Sequence, residues 1–118
     1  MFDHITLTVA DVPRAVRFYR QALEPLGFSL EQEYEGGAGF GTAGVPQLWL
    51  QEGVASKVHI AFSAASRKAV AAFHGAALAS GGTDNGAPAP RESYGPTYYA
   101  AFVHDPDGNN VEAVTQGK

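Results

Sequence analysis

The sequence predicts an α+β fold of two βαβββ modules that form an open, barrel-like mixed sheet around a cleft. Three observations predict it. The chain repeats itself at a fixed offset: His4-Ile5 recurs as His59-Ile60, Ala10 as Ala65, Phe18 as Phe73, Ala22 as Ala77, Leu23 as Leu78 and Gly27 as Gly82, each 55 positions on. An ungapped offset shared by that many positions marks one supersecondary unit used twice. Within each unit the apolar periodicity starts at two, switches to helical spacing, and returns to two. The chain is 118 residues long, 45% hydrophobic and 17% charged, enough to bury one core without staples. A single domain of two repeats, about 1–53 and 56–118, follows.

The first unit opens on Asp3-His4-Ile5-Thr6-Leu7-Thr8-Val9. Ile5, Leu7 and Val9 share one face; His4, Thr6 and Thr8 share the other. Asp11 suits a helix N-cap and Pro13 is tolerated in a first turn. Val12, Ala15, Val16, Tyr19 and Leu23 keep helical spacing until Pro25 and Gly27 stop it. A strand is predicted from Phe28 to Tyr34, a turn at Gly36-Gly37, and a short strand around Phe40. After a Gly44/Pro46 turn, Gln47-Leu48-Trp49-Leu50-Gln51 alternates again.

The second unit repeats this order. Val58 to Ser63 is a strand with Val58, Ile60 and Phe62 on its apolar face. Ser66 caps a helix whose inner stripe is Val70, Phe73 and Ala77, and Gly81-Gly82 ends it. A loop rich in Ala, Pro and Gly is expected over roughly 85–96. Tyr98 to Val103 and Asn110 to Thr115 are strands. Asp105-Pro106-Asp107-Gly108 between them reads as a hairpin turn.

Composition excludes several classes of function. With no cysteine there is no disulfide, thiolate metal site or cysteine nucleophile. The net charge of −4 and the lack of a basic cluster argue against nucleic acid as a partner. No apolar run is long enough to span a membrane and no signal-peptide pattern opens the chain, so no membrane partner and a cytoplasmic location are expected.

Strand parity places the candidate chemistry. If the aliphatic faces pack on helices, the opposite faces carry His4, Thr6 and Thr8, with Gln47, Trp49 and Gln51, in the first unit. In the second they carry His59, Ala61 and Ser63, with Asn110, Glu112 and Val114. A lone strand histidine is most often a surface polar residue. The repeat singles these two out, because they occupy equivalent positions. Two imidazoles and a carboxylate suit a divalent transition metal with open positions for water or substrate. Related by a rotation, the two copies would bring His4 and His59 face to face.

These features resemble the vicinal oxygen chelate superfamily, which includes glyoxalase I, extradiol dioxygenases, fosfomycin-resistance enzymes and bleomycin-binding proteins. The resemblance rests on the paired units, on Asp3-His4-Ile5 followed by Ala10-Asp11-Val12 and Phe18-Tyr19, and on Val58-His59-Ile60-Ala61-Phe62. It closes with Tyr98-Tyr99-Ala100-Ala101-Phe102-Val103 running into Asp105-Pro106-Asp107-Gly108-Asn109-Asn110-Val111-Glu112. It covers essentially the whole chain and is strongest to small glyoxalase-like proteins. It implies that His4, His59 and Glu112 sit at metal-ligand positions, and that the metal, Fe, Mn, Ni or Zn, chelates two neighbouring substrate oxygens.

The departures narrow what the resemblance implies. The fourth ligand position of glyoxalase I falls on or beside Trp49, which cannot ligate, so that position is vacant unless Gln47 or Gln51 fills it. Thr8 stands where glyoxalase I commonly has an arginine for the glutathione carboxylate. Thr6 stands where fosfomycin enzymes carry a threonine, but Arg91 is the only base in the stretch where they carry a basic loop. The expected substrate-facing set is Thr6, Thr8, Trp49, Arg91, Tyr98 and Tyr99, and no catalytic base is identified.

Two functions follow as expectations. One is a metal-dependent enzyme of the glyoxalase/dioxygenase type acting on a small oxygen-chelating substrate. The alternative is a metal-free protein that sequesters a small planar molecule, as bleomycin-binding relatives do. In either case the resemblance implies a homodimer, whose two chains share each site in some branches of the superfamily.

Overall fold

The structure, a computed structural model, describes residues 1–117. The first module comprises β1 (Ile5–Val9), α1 (Val12–Leu23), a 3-10 turn (Glu24–Leu26), β2 (Ser29–Tyr34), β3 (Gly37–Thr42) and β4 (Val45–Glu52). The second comprises β5 (His59–Ser63), α2 (Arg67–Ala79), β6 (Thr83–Pro90), β7 (Tyr99–His104) and β8 (Asn110–Thr115). Each module is thus βαβββ, and the repeat seen in the sequence is a repeat of folded units.

The two sheets have the same topology. The first runs β1-β4-β3-β2 and the second β5-β8-β7-β6. In each, the opening strand lies parallel to the closing strand, and the remaining pairs are antiparallel. Thr6 sits opposite Trp49 in the first parallel pair, and Ala61 sits opposite Glu112 in the second. The strands form two separate four-stranded sheets, not a closed barrel.

Both helices start as the sequence dictates. The Asp11 carboxylate accepts from Arg14 N at 3.1 Å, and the Ser66 hydroxyl accepts from Ala69 N at 3.1 Å. Such caps each contribute about 1 kcal/mol. Past α1, Gly27 adopts φ 87°, a left-handed conformation that ends the 3-10 turn at little cost. Ala15, Phe18, Tyr19, Ala22 and Leu23 from α1 and Val70, Phe73 and Ala77 from α2 have no exposed surface. They join Val9, Leu50, Val103, Val111 and Ala113 from the two sheets in one core. The helix-facing sides of both sheets therefore meet in a shared interior, and each sheet turns its other face away from it.

One expectation is corrected. Much of the stretch expected as a loop over 85–96 is strand β6, which pairs with β7 through Pro90. Prolines and glycines disguise it. They are tolerated because β6 is an edge strand, and its register shifts twice, between Asp84 and Gly86 and between Gly86 and Ala89.

The Asp105–Asn109 segment is more than a hairpin turn. The Asp105 carboxylate accepts four hydrogen bonds: Oδ1 from the backbone N–H of Asp107 (2.9 Å) and of Asn109 (2.8 Å), Oδ2 from Asn109 Nδ2 (2.8 Å) and the Tyr19 hydroxyl (2.5 Å). Asp107 Oδ1 accepts from Ala10 N at 3.2 Å and lies 3.7 Å from an Arg14 nitrogen. Asn109 Oδ1 accepts from Val58 N at 2.9 Å and from the Ser56 hydroxyl at 3.3 Å. A turn of the second module thereby ties down the start of the first helix and the segment joining the modules.

Candidate active site

On the face of the second sheet turned from the helices, β5, β8 and the residue just before β7 bring together a histidine, a carboxylate and a phenol. His59 Nε2 donates to Glu112 Oε1 at 2.7 Å, and the Tyr98 hydroxyl donates to Glu112 Oε2 at 2.5 Å. Glu112 is 2% exposed, so its charge is held almost entirely by these two donors. Partial burial, and then the hydrogen bond and negative charge of Glu112, push the Tyr98 hydroxyl up to about 12. It stays protonated at neutral pH. Phe102 is the cross-strand partner of Glu112, its ring centroid is 6.1 Å from that of His59, and the Arg91 guanidinium lies over it.

Tyr98 and Tyr99 separate, as successive residues entering a strand must. Tyr98 reaches Glu112, whereas Tyr99 goes to the helix side, where the Arg67 guanidinium stacks 4.7 Å from its ring centroid. Tyr99 is therefore not part of this face.

The outer face of the first sheet carries the other candidates. His4 directly precedes β1; its Nδ1 donates to Asp3 Oδ1 at 2.7 Å and its side chain is 52% exposed. Thr6 is exposed beside it. The Thr8 hydroxyl is already committed, donating to Val54 O at 2.6 Å, which fastens the segment after β4. That use removes Thr8 from the expected substrate-facing donors.

Trp49 lies flat on β3. A Cβ built on Gly39 would come within 2.7 Å of its ring, and one on Gly37 would meet the Tyr34 ring. The Tyr34 and Trp49 centroids are 6.3 Å apart. Glycines at alternate positions leave this face of β3 bare, so the two aromatics rest on its backbone. Tyr34 and Phe102 were not among the residues singled out in the sequence. The alternation of Gly37, Gly39 and Gly41 was the available signal for Tyr34. For Phe102 it was its position in phase with the closing motif.

The expected trio comes together only in part. His59 and Glu112 meet, but among the described residues no three His, Cys, Asp or Glu side chains converge. The reason is the shared core: with both helix faces turned inward, the faces bearing His4 and the His59–Glu112 pair belong to different sheets and point away from it. His4 instead lines a cavity of about 160 Å³ at the junction of the modules, with Phe2, Ile5, Phe28, Ile60 and Phe62. The donors that do meet fit a divalent transition ion. An imidazole nitrogen and a carboxylate oxygen 2.7 Å apart lie within the bite of one metal, and a second imidazole would complete a facial set.

Comparisons with known proteins agree with this architecture. The family described as Glyoxalase/Bleomycin resistance protein/Dioxygenase superfamily matches residues 1–113. A solved glyoxalase/bleomycin resistance protein from Albidiferax ferrireducens is similar over 97% of both chains, with 26% identity and a TM-score of 0.85. A glyoxalase/bleomycin resistance protein/dioxygenase family enzyme from Burkholderia phytofirmans shares the fold, with a TM-score of 0.73 and 20% identity over 95% of each chain. So does a glyoxalase I mutant from Zea mays, with a TM-score of 0.71 and 24% identity over 96% of this chain and 45% of that one. No curated protein matches the chain. With two βαβββ modules and a family match spanning nearly all of both, the chain belongs to the glyoxalase/bleomycin resistance protein/dioxygenase superfamily.

Proposed function

We propose that this protein is a metal-dependent enzyme acting on a small oxygen-chelating substrate. His59 and Glu112 of one chain hold the ion, and His4 of a second chain in a homodimer completes the set. The observation that supports this reading most is the His59–Glu112–Tyr98 group. A carboxylate only 2% exposed, on a sheet face turned away from the core, carries a desolvation cost that two donors offset here and that a bound ion would offset further. His59 is 54% exposed and free to turn its Nε2 from the carboxylate to an ion. His4 stands on the equivalent face of the other sheet, also beside open solvent. A two-fold dimer that sets the first sheet of one chain against the second sheet of the other would oppose these faces.

When bound, such an ion supplies Lewis-acid stabilisation of negative charge on neighbouring substrate oxygens. The chain's own residues set the rest. The Tyr98 hydroxyl fixes Glu112 Oε2 and keeps its proton through neutral pH. That leaves Oε1, on the His59 side, to face the ion. Trp49 occupies the strand position where a fourth protein ligand would come, which leaves the donor count at three and keeps coordination positions open. It also gives the opposing wall a flat apolar surface.

The test is metal content. Stripped protein is reconstituted anaerobically with Fe(II), Mn(II), Ni(II) or Zn(II), dialysed, and analysed for retained metal. Near-stoichiometric retention by the wild type, lost in His4→Ala, His59→Ala and Glu112→Ala, is the expected result. Equal retention by Glu112→Ala overturns the assignment. No retention by the wild type moves the reading to metal-free sequestration.

A further inference from the structure

We propose that Arg91 is an anchor for a substrate oxyanion, so that the substrate carries an acidic group besides its reacting oxygens. This rests on the reading of the His59–Glu112 face as the reacting centre. Arg91 follows β6 and lays its guanidinium over Phe102, 5.2 Å from the ring centroid. The same ring neighbours His59, with centroids 6.1 Å apart, and Phe102 is the strand partner of Glu112. The anchor and the candidate metal donors thus share one face of one sheet, and Phe102 neighbours both.

The guanidinium is built into place. Nη2 donates to Ala87 O at 2.6 Å and to Ala100 O at 3.5 Å. Gly86, at φ 149°, makes room for it, since a Cβ there would come within 3.1 Å of Nη2 and 3.0 Å of the Phe102 ring. The Arg91 backbone is fixed as well, with its N–H donating to Tyr98 O at 2.8 Å. An arginine on a solvated loop would need none of this.

Its charge is left uncompensated. The ion pairs among the described residues are His4–Asp3, Arg14–Asp107, His59–Glu112 and His74–Asp84, and none involves Arg91. Nε is buried with no acceptor. A guanidinium desolvated on one edge and held without a carboxylate is unfavourable in an acidic protein that has acids to spare. Among the described residues Nη1 has no hydrogen-bond partner and is not buried, so its two N–H groups are the ones left for a ligand. A carboxylate, phosphate or phosphonate oxygen is the matching acceptor.

The experiment uses the whole chain stripped of metal, so that it does not depend on the ion. Acetate, inorganic phosphate and methylphosphonate are titrated at constant ionic strength against a chloride control. The Arg91 Nε–Hε resonance of ¹⁵N-labelled protein is the readout. Saturable shifts with at least one oxyanion, absent with chloride and lost in Arg91→Gln while the sheet resonances stay in place, are expected. Stronger saturation by acetate assigns a carboxylate, and stronger saturation by the phosphorus anions assigns a phosphoryl group. Arg91→Lys, which keeps the charge but not the fork, should bind more weakly. A response equal to chloride, or saturation unchanged in Arg91→Gln, overturns the proposal. If Arg91→Gln fails to fold, the wild-type resonance still decides. Metal retention is measured separately, so loss of anion binding with intact metal binding refutes the anchor alone.

Discussion

The Tyr19 hydroxyl of the first module donates to Asp105 of the second at 2.5 Å, inside the protein and 86 residues apart in sequence. The phenol is fully buried, and burial, followed by the charge and hydrogen bond of Asp105 and the charge of Asp107, holds its ionisation well above the ordinary value of 10.0. The bond is one of the points at which the two modules are joined. Tyr19 belongs to the first helix, and Asp105 organises the turn between the last two strands.

A pH dependence follows. The unfolded chain ionises Tyr19 near 10.0, while the folded chain keeps it neutral to a higher pH. The stabilisation is therefore complete below about pH 10 and is lost as pH rises beyond it. Urea unfolding between pH 7 and pH 11 should show an alkaline decline in stability. Tyr19→Phe should lower stability at neutral pH by about 1–3 kcal/mol and make that decline shallower. A variant that declines as steeply as the wild type would remove Tyr19 from the account.

Asn109 makes the same junction from the other side. It is completely buried and bridges Asp105, Val58 and Ser56. Asn109→Ala should cost about 1–3 kcal/mol for each buried group left without a partner. Hydrogen exchange should speed up at Val58 and along β5 before it changes in the first sheet. Uniform loosening of both sheets would argue against a local junction.

On the first sheet, Gly39→Ala should lift Trp49. The added methyl would come within 2.7 Å of the indole, so the ring must leave the strand. A destabilisation of about 1–3 kcal/mol is expected from the overpacking. Because the chain has one tryptophan, its emission should also shift to the red as the ring becomes exposed. An unshifted spectrum would mean that the bare backbone of β3 is not what seats Trp49.

Core substitutions calibrate these effects. Phe18 and Phe73 are equivalent in the repeat and both have no exposed surface. Phe73→Ala should cost about 3–5 kcal/mol, read by the same urea unfolding. A much smaller cost would show that the second helix contributes little to the shared core.

The sequence was legible where periodicity reports burial. The stripes on both helices, the caps at Asp11 and Ser66, and the phase of β1, β4, β5 and β8 could all be read because alternate residues are forced into the core or out of it. Strand β6 was not legible, since an edge strand with one unpaired side tolerates the prolines and glycines that ordinarily mark a loop. The Asp105–Asn109 segment showed its turn but not its partners. A hydrogen bond to Tyr19 is a tertiary fact with no local signature. The phase of the closing motif separates Glu112 from Val111, while nothing local in the paired tyrosines before it says that Tyr98, not Tyr99, turns toward the carboxylate. Whether His4 and His59 meet depended on how the two units pack, which the repeat does not encode.

The central claim is that His4 of one chain and the His59–Glu112 pair of another hold one ion. The most direct measurement is metal retention by a refolded equal mixture of His4→Ala and Glu112→Ala chains, each metal-free alone. A mixed dimer keeps one site with all three donors intact, so the mixture should regain part of the wild-type metal content. A mixture as empty as its parents, beside a wild type that retains metal, would contradict a site shared between chains.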